Sequence, residues 1–226
     1  MFRPALVAAL AALSFQATAG LMSSTDVTIR IDGFSNGHAA VDVTLDNFGT
    51  VGAGQFQGSY DGHSFLTYCT DLFQSFQWGK TSTYSLVAND SEHGFSSTQA
   101  DRLGKLYTTA GGAATNTTDS VAFQLAVWEL LYDRTPGSVT SGDFQLISGA
   151  SAAQRNRADA WLTAVLAPDA SRSFDAQRLR STVAQDFVVF TPLPEPSLRI
   201  GQVPEPAGLG LALMALGLLA LSRRRA

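Results

Sequence analysis

The chain has 226 residues, 45% of them hydrophobic and only 15% charged, which is material for one well-filled core and argues for a single domain. Fifteen Lys and Arg stand against nineteen Asp and Glu, and four of the arginines (Arg3, Arg223, Arg224 and Arg225) lie in the terminal segments. The interior is therefore acidic and has no electrostatic footprint for nucleic acid. A single cysteine excludes an intrachain disulfide framework and a multi-Cys zinc site. The three histidines, His38, His63 and His93, lack the paired spacing of a metal site, and no cofactor is implied.

The first element is an export signal. Arg3 supplies the positive region, Ala5 to Phe15 the apolar stretch, and Ala17-Thr18-Ala19 a small-residue cleavage site before Gly20. Residues 1–19 are thus expected to be removed as the chain leaves the cytoplasm through the inner membrane.

The mature domain, residues 20–192, begins with strands and continues with helices. Asp26 to Ile31, Ala39 to Leu45, Gln55 to Tyr60 and Ser64 to Leu72 alternate apolar and polar residues between Gly, Asn and Asp turns, the pattern of antiparallel strands. Asp61-Gly62 reads as a hairpin turn. From Thr98 to Ala110 the period becomes helical, with Thr98 and Asp101 an approximate capping pair and Gly111-Gly112 the stop. A second helix is expected from Ser120 to Tyr132, ended by Thr135-Pro136-Gly137, and a third from Ser151, whose partner Gln154 completes a capping box. A last strand, Asp186 to Thr191, returns to the sheet. The expected fold class is α+β, an antiparallel β-sandwich-like portion with an inserted helical subdomain.

Residues 193–206 form a proline-rich linker, and Ala207 to Leu221 is an unbroken run of Ala, Gly, Leu and Met closed by Arg223-Arg224-Arg225. As a helix that run would be about 22 Å long, short of the ~30 Å hydrocarbon core unless neighbouring residues help. The arginines would stay cytoplasmic. Pro204-Glu205-Pro206, then the apolar run, then the arginine cluster resembles the PEP-CTERM sorting signal of Gram-negative bacteria. The resemblance implies a transient C-terminal transmembrane anchor at 207–226, an exosortase-type processing protease that acts near Pro204-Glu205-Pro206, and a destination at the cell surface or in the extracellular matrix. A second Pro194-Glu195-Pro196 has no apolar run behind it and reads as linker.

Two residues stand in unusual surroundings. With about 100° per residue in the Ser120–Tyr132 helix, Gln124 falls in the middle of the apolar arc formed by Val121, Val127, Trp128 and Leu131, while Glu129 and Asp133 fall on the far side. Burying its amide without partners would cost on the order of 1–3 kcal/mol. Cys69 is the other, a lone thiol in a chain bound for an oxidising compartment. One reaction answers both: the Cys69 thiolate attacks the Gln124 carbonyl, ammonia leaves, and a thioester remains in an apolar site that excludes water.

Tyr68-Cys69-Thr70-Asp71 and, 55 residues on, Phe123-Gln124-Leu125-Ala126-Val127-Trp128 are similar to the paired motifs of bacterial thioester domains, found on Gram-positive surface adhesins. Thr70 departs from the pattern, which has an apolar residue there. The resemblance implies that Cys69 and Gln124 form an electrophile for an amine-bearing surface ligand (a protein lysine or a polyamine), that Asp71 anchors the strand or the following loop, and that Tyr68 and Trp128 shield the bond. Such a protein would be a single-turnover adhesin or cross-linker, not an enzyme.

Plainer readings of the same residues remain: Cys69 as a small buried hydrophobe and Gln124 as a satisfied core amide, in a module that binds exopolysaccharide or builds a biofilm matrix without covalent chemistry. An enzymatic alternative makes Cys69 the nucleophile of a hydrolase, with His63 or His93 as base and Asp71 or Asp61 to orient it.

Overall fold

The computed structural model describes residues 26–45 and 49–194. The export signal, residues 195–206 of the linker and the sorting segment 207–226 lie outside the described residues. The chain divides into two units, Met1–Leu193 and Pro194–Ala226, and the fold below belongs to the first.

Seven strands and three helices follow one another as β1 (Val27–Thr44), β2 (Thr50–Tyr60), β3 (His63–Cys69), β4 (Thr81–Val87), α1 (Ser97–Thr109), α2 (Thr117–Tyr132), β5 (Gln145–Ser148), α3 (Ala152–Leu166), β6 (Phe174–Arg180) and β7 (Phe187–Pro192). The strands are paired in the order β2-β3-β7-β6-β4-β1-β5, and a further β1–β2 pairing closes six of them into a ring. All pairings are antiparallel. The sandwich-like portion is thus one continuous sheet that turns back on itself.

The ring closes because β1 is long. Its first residues pair with β4, its middle with β2 and its last with β5. The sequence pattern shows two strands here because the alternation breaks between Ile31 and His38, where the β1–β2 register shifts twice. A bulge bends a strand without ending it, so Asp26–Ile31 and Ala39–Leu45 are one element. The Asp61-Gly62 turn is as expected: both residues have positive φ, and Tyr60 pairs with His63.

α1 starts at an N-cap two residues earlier than the approximate Thr98/Asp101 pair, through a full capping box between Ser96 and Gln99. α3 starts at Ser151 with the expected box to Gln154. α2 is capped by Asn116, whose Oδ1 accepts from Asp119 N at 2.9 Å. Every residue of α2 from Ser120 to Leu130 is buried, because the helix lies between the ring, mainly β1 and β2, and the other two helices. A helix that is apolar nearly all round belongs inside. Glu129 and Asp133 are therefore not on a solvated face; they are buried, with Glu129 at 0% exposure. Among the described residues no helix is long and apolar enough to cross a membrane.

Candidate functional site

α2 enters the sheet at two interruptions of its ladders, with two polar residues four positions apart on one face. The first is the β1 bulge, which leaves Gln55 N–H and Gly37 C=O without strand partners. Ser120 supplies both: its Oγ accepts from Gln55 N at 2.8 Å and donates to Gly37 O at 2.8 Å.

The second interruption is the end of the β2–β3 ladder. Pairing stops at Phe56 opposite Thr67; continued, the register would set Gly54 opposite Cys69. β2 instead continues along β1, where Gly54 pairs with His38, and the N–H and C=O of Cys69 lose that neighbour. Gln124 takes its place. Cys69 N donates to Gln124 Oε1 at 2.9 Å, and Gln124 Nε2 donates to Cys69 O at 2.9 Å. A side-chain carboxamide acts here as one residue of a missing strand, and both residues are 0% exposed.

The Cys69 sulfur lies beside a different set of groups. Its S–H donates to Asp71 O at 3.3 Å, and Gln185 Nε2 donates both to the sulfur and, at 3.0 Å, to Asp71 O. Burial pushes the Cys69 thiol up to about 12; hydrogen bonding to the sulfur from the Trp128 side chain and the Asp71 backbone tempers that rise. The indole N–H is near the sulfur but poorly aligned, and Nε1 has no partner of good geometry. Buried and uncharged, this thiol is not a ready thiolate nucleophile toward outside reagents.

The remaining sequence candidates surround this pair. The Tyr68 hydroxyl accepts from Gln55 Nε2 at 2.9 Å, and its ring packs on Phe123 with centroids 4.3 Å apart. Asp71 Oδ1 accepts from Phe73 N at 2.8 Å and so shapes the turn after β3. Trp128 is buried, one turn beyond Gln124 on α2. Tyr132, a further turn on, donates to Thr70 O at 3.1 Å and accepts from Leu72 N at 3.0 Å.

The histidines do not join the cysteine. His63 starts β3 and Cys69 ends it, about 20 Å apart at 3.3 Å per residue. His63 and His93 are both exposed, as is Asp61 in the hairpin. Among the described residues no group of three His, Cys, Asp or Glu side chains is placed to hold a metal ion.

Sequence reasoning missed Ser120, Gln185, Gln55 and Tyr132. Ser120 and Gln55 carried a signal, as polar residues inside otherwise apolar runs. Gln185 had none, since it arrives from a polar loop 116 positions from Cys69.

An open cleft of about 570 Å³ reaches two neighbours of the sulfur, Trp128 and Gln185, while Cys69 and Gln124 themselves are not among its lining residues. Trp128 and Gln185 line its inner side, and Phe34, His38, Phe56, Phe76 and Trp78 line the rest together with Gln74 and Ser75.

Residues 202–226 match the model of the PEP-CTERM protein-sorting motif. The chain therefore carries the tail of an exported protein that is sorted and processed by exosortase, and Pro204, Glu205, Pro206 and Arg223 to Arg225 lie within the matched segment. No curated protein and no solved structure matches the chain.

Proposed function

We propose that this exported protein forms a thioester between Cys69 and Gln124 and uses it once, to capture an amine covalently at the cell surface or in the matrix. The observation that carries this reading is the seating of the Gln124 carboxamide on the Cys69 backbone by two hydrogen bonds of 2.9 Å in a site closed to water.

In the forming step Sγ bonds to the Gln124 side-chain carbonyl carbon, the C–N bond breaks, and the thiol proton leaves with the nitrogen as ammonia. Cys69 N–H already points at Oε1, where negative charge collects in the tetrahedral intermediate, so a donor is in place before the reaction begins. Holding both groups in one site replaces an encounter by an intramolecular step. In the capturing step an amine attacks the same carbon, its proton passes to sulfur, and the products are a substituted amide at Gln124 and a free Cys69 thiol. After capture the enclosed, neutral thiol is a poor nucleophile, which keeps it from attacking the new amide.

Mapping after methylamine treatment tests this reading. The Gln124 peptide should carry an N-methyl amide, and Cys69 of the subsequently unfolded chain should be alkylated after treatment and not without it. A Cys69 that is alkylated in the unfolded chain without methylamine, beside an unmodified Gln124, would overturn it and leave a non-covalent matrix or exopolysaccharide-binding module.

A further inference from the structure

The cleft beside Cys69 has a composition that narrows the ligand. Phe34, Phe56, Phe76 and Trp78 form one network of rings, with centroids 4.7–5.8 Å apart. The β1 bulge folds His38 back onto Phe34, where the two rings stack at 4.2 Å and 7°. Gly52 makes room for this arrangement, since a Cβ there would sit 2.8 Å from Phe34 Cζ. Trp78 remains 51% exposed, so it offers a ring to whatever enters.

No Asp, Glu, Lys or Arg lines the cleft, so an ammonium ion would find no counter-charge there. Two of the lining residues carry a buried side-chain atom without a hydrogen-bond partner: Gln74 Oε1, which needs a donor, and Trp128 Nε1, which needs an acceptor. An alkylammonium only donates. A hydroxyl can do both, and a sugar ring combines hydroxyls with a flat C–H face suited to an aromatic wall. The volume, inside the roughly 300–1,000 Å³ of small-molecule sites, is more than one lysyl chain fills. From these observations we infer that the cleft binds an amino sugar, as a segment of a hexosamine polymer with free amines, and delivers its amine to the acyl carbon of Gln124.

The covalent step rests on the acyl-transfer reading above. The sugar nitrogen bonds to the Gln124 carbonyl carbon, the C–S bond breaks, and the proton passes from nitrogen to the Cys69 sulfur, with no further reactant. A hexosamine amine is less basic than a lysyl amine, so more of it is present as the nucleophilic free base near neutral pH.

The experiment uses the chain recovered after export and a fully de-N-acetylated glucosamine tetramer. In Cys69→Ala, which has no sulfur to react, the tetramer should quench tryptophan fluorescence saturably, and the additional change Trp78→Ala should weaken that binding about fivefold or more, the size of one aromatic contact. In the unaltered chain the tetramer should add faster than methylamine or a lysyl peptide at equal amine concentration. Trp78→Ala should lower that preference, and Trp78→Phe, which keeps a ring face, should retain most of it. Methylamine addition without saturable tetramer binding would overturn the cleft proposal and leave acyl transfer standing, as would a lysyl peptide that adds as fast as the tetramer. Tetramer binding with no adduct from any amine would overturn acyl transfer and leave a glycan-binding cleft.

Discussion

Gln124 satisfies a backbone that the sheet has abandoned, and this gives its replacement a cost independent of any chemistry. Gln124→Ala would leave Cys69 N–H and C=O buried without partners, at about 1–3 kcal/mol for each. Urea unfolding should show the loss. Glu129 is the buried carboxyl residue of α2. Its Oε1 accepts from Gly137 N at 2.9 Å, its Oε2 has no partner, and burial pushes the carboxyl up to about 7 from an ordinary 4.5. Between those pH values the folded chain holds a proton that the unfolded chain has lost, so stability falls as pH rises through the window. Glu129→Gln should flatten that slope and raise the urea midpoint above pH 7, while changing it little near pH 4.

The loop after α2 shows how carboxylates can organise a segment that has little secondary structure. Asp133 accepts from Thr135 N and Asp143 N, Asp159 of α3 accepts from Val139 N and the Ser138 hydroxyl, and Glu129 takes Gly137 N. Gly142, at φ 104°, passes so close that a Cβ would overlap Asp133 Oδ2. Gly142→Ala should therefore destabilise the chain by about 1–3 kcal/mol, read as a lower thermal midpoint. The helices were legible because caps and the 3.6-residue period mark them locally. β4, β5 and β6 were not: β5 has four residues, and β6 (Phe174–Arg180) carries charged residues without alternation and takes its place by pairing with β7 and β4. Cys69 and Gln124 could be matched as two anomalies, a thiol with no partner and an amide on an apolar arc. The reason they meet, a ladder that ends two residues short of Cys69, is a tertiary event with no local pattern.

At the scale of the whole chain, the folded unit and the sorting segment divide the work. The tail, matched over residues 202–226, is a sorting signal, and in the proposed function the buried Cys–Gln pair of the folded unit supplies the chemistry. Replacement of Pro204, Glu205 and Pro206 by alanine should leave the tail uncleaved, so that the mass of the cell-associated protein includes Arg223 to Arg225, while the unchanged chain should be recovered without them. The same substitutions should leave the thermal midpoint of the folded unit unchanged, since that unit ends at Leu193.

The most direct measurement is the intact mass of the exported chain, taken before and after methylamine. The account predicts a mass one ammonia below that calculated for the processed chain, a gain of one methylamine on treatment, and the calculated mass without either change in Cys69→Ala. Full mass in the untreated chain and no gain with methylamine would contradict it.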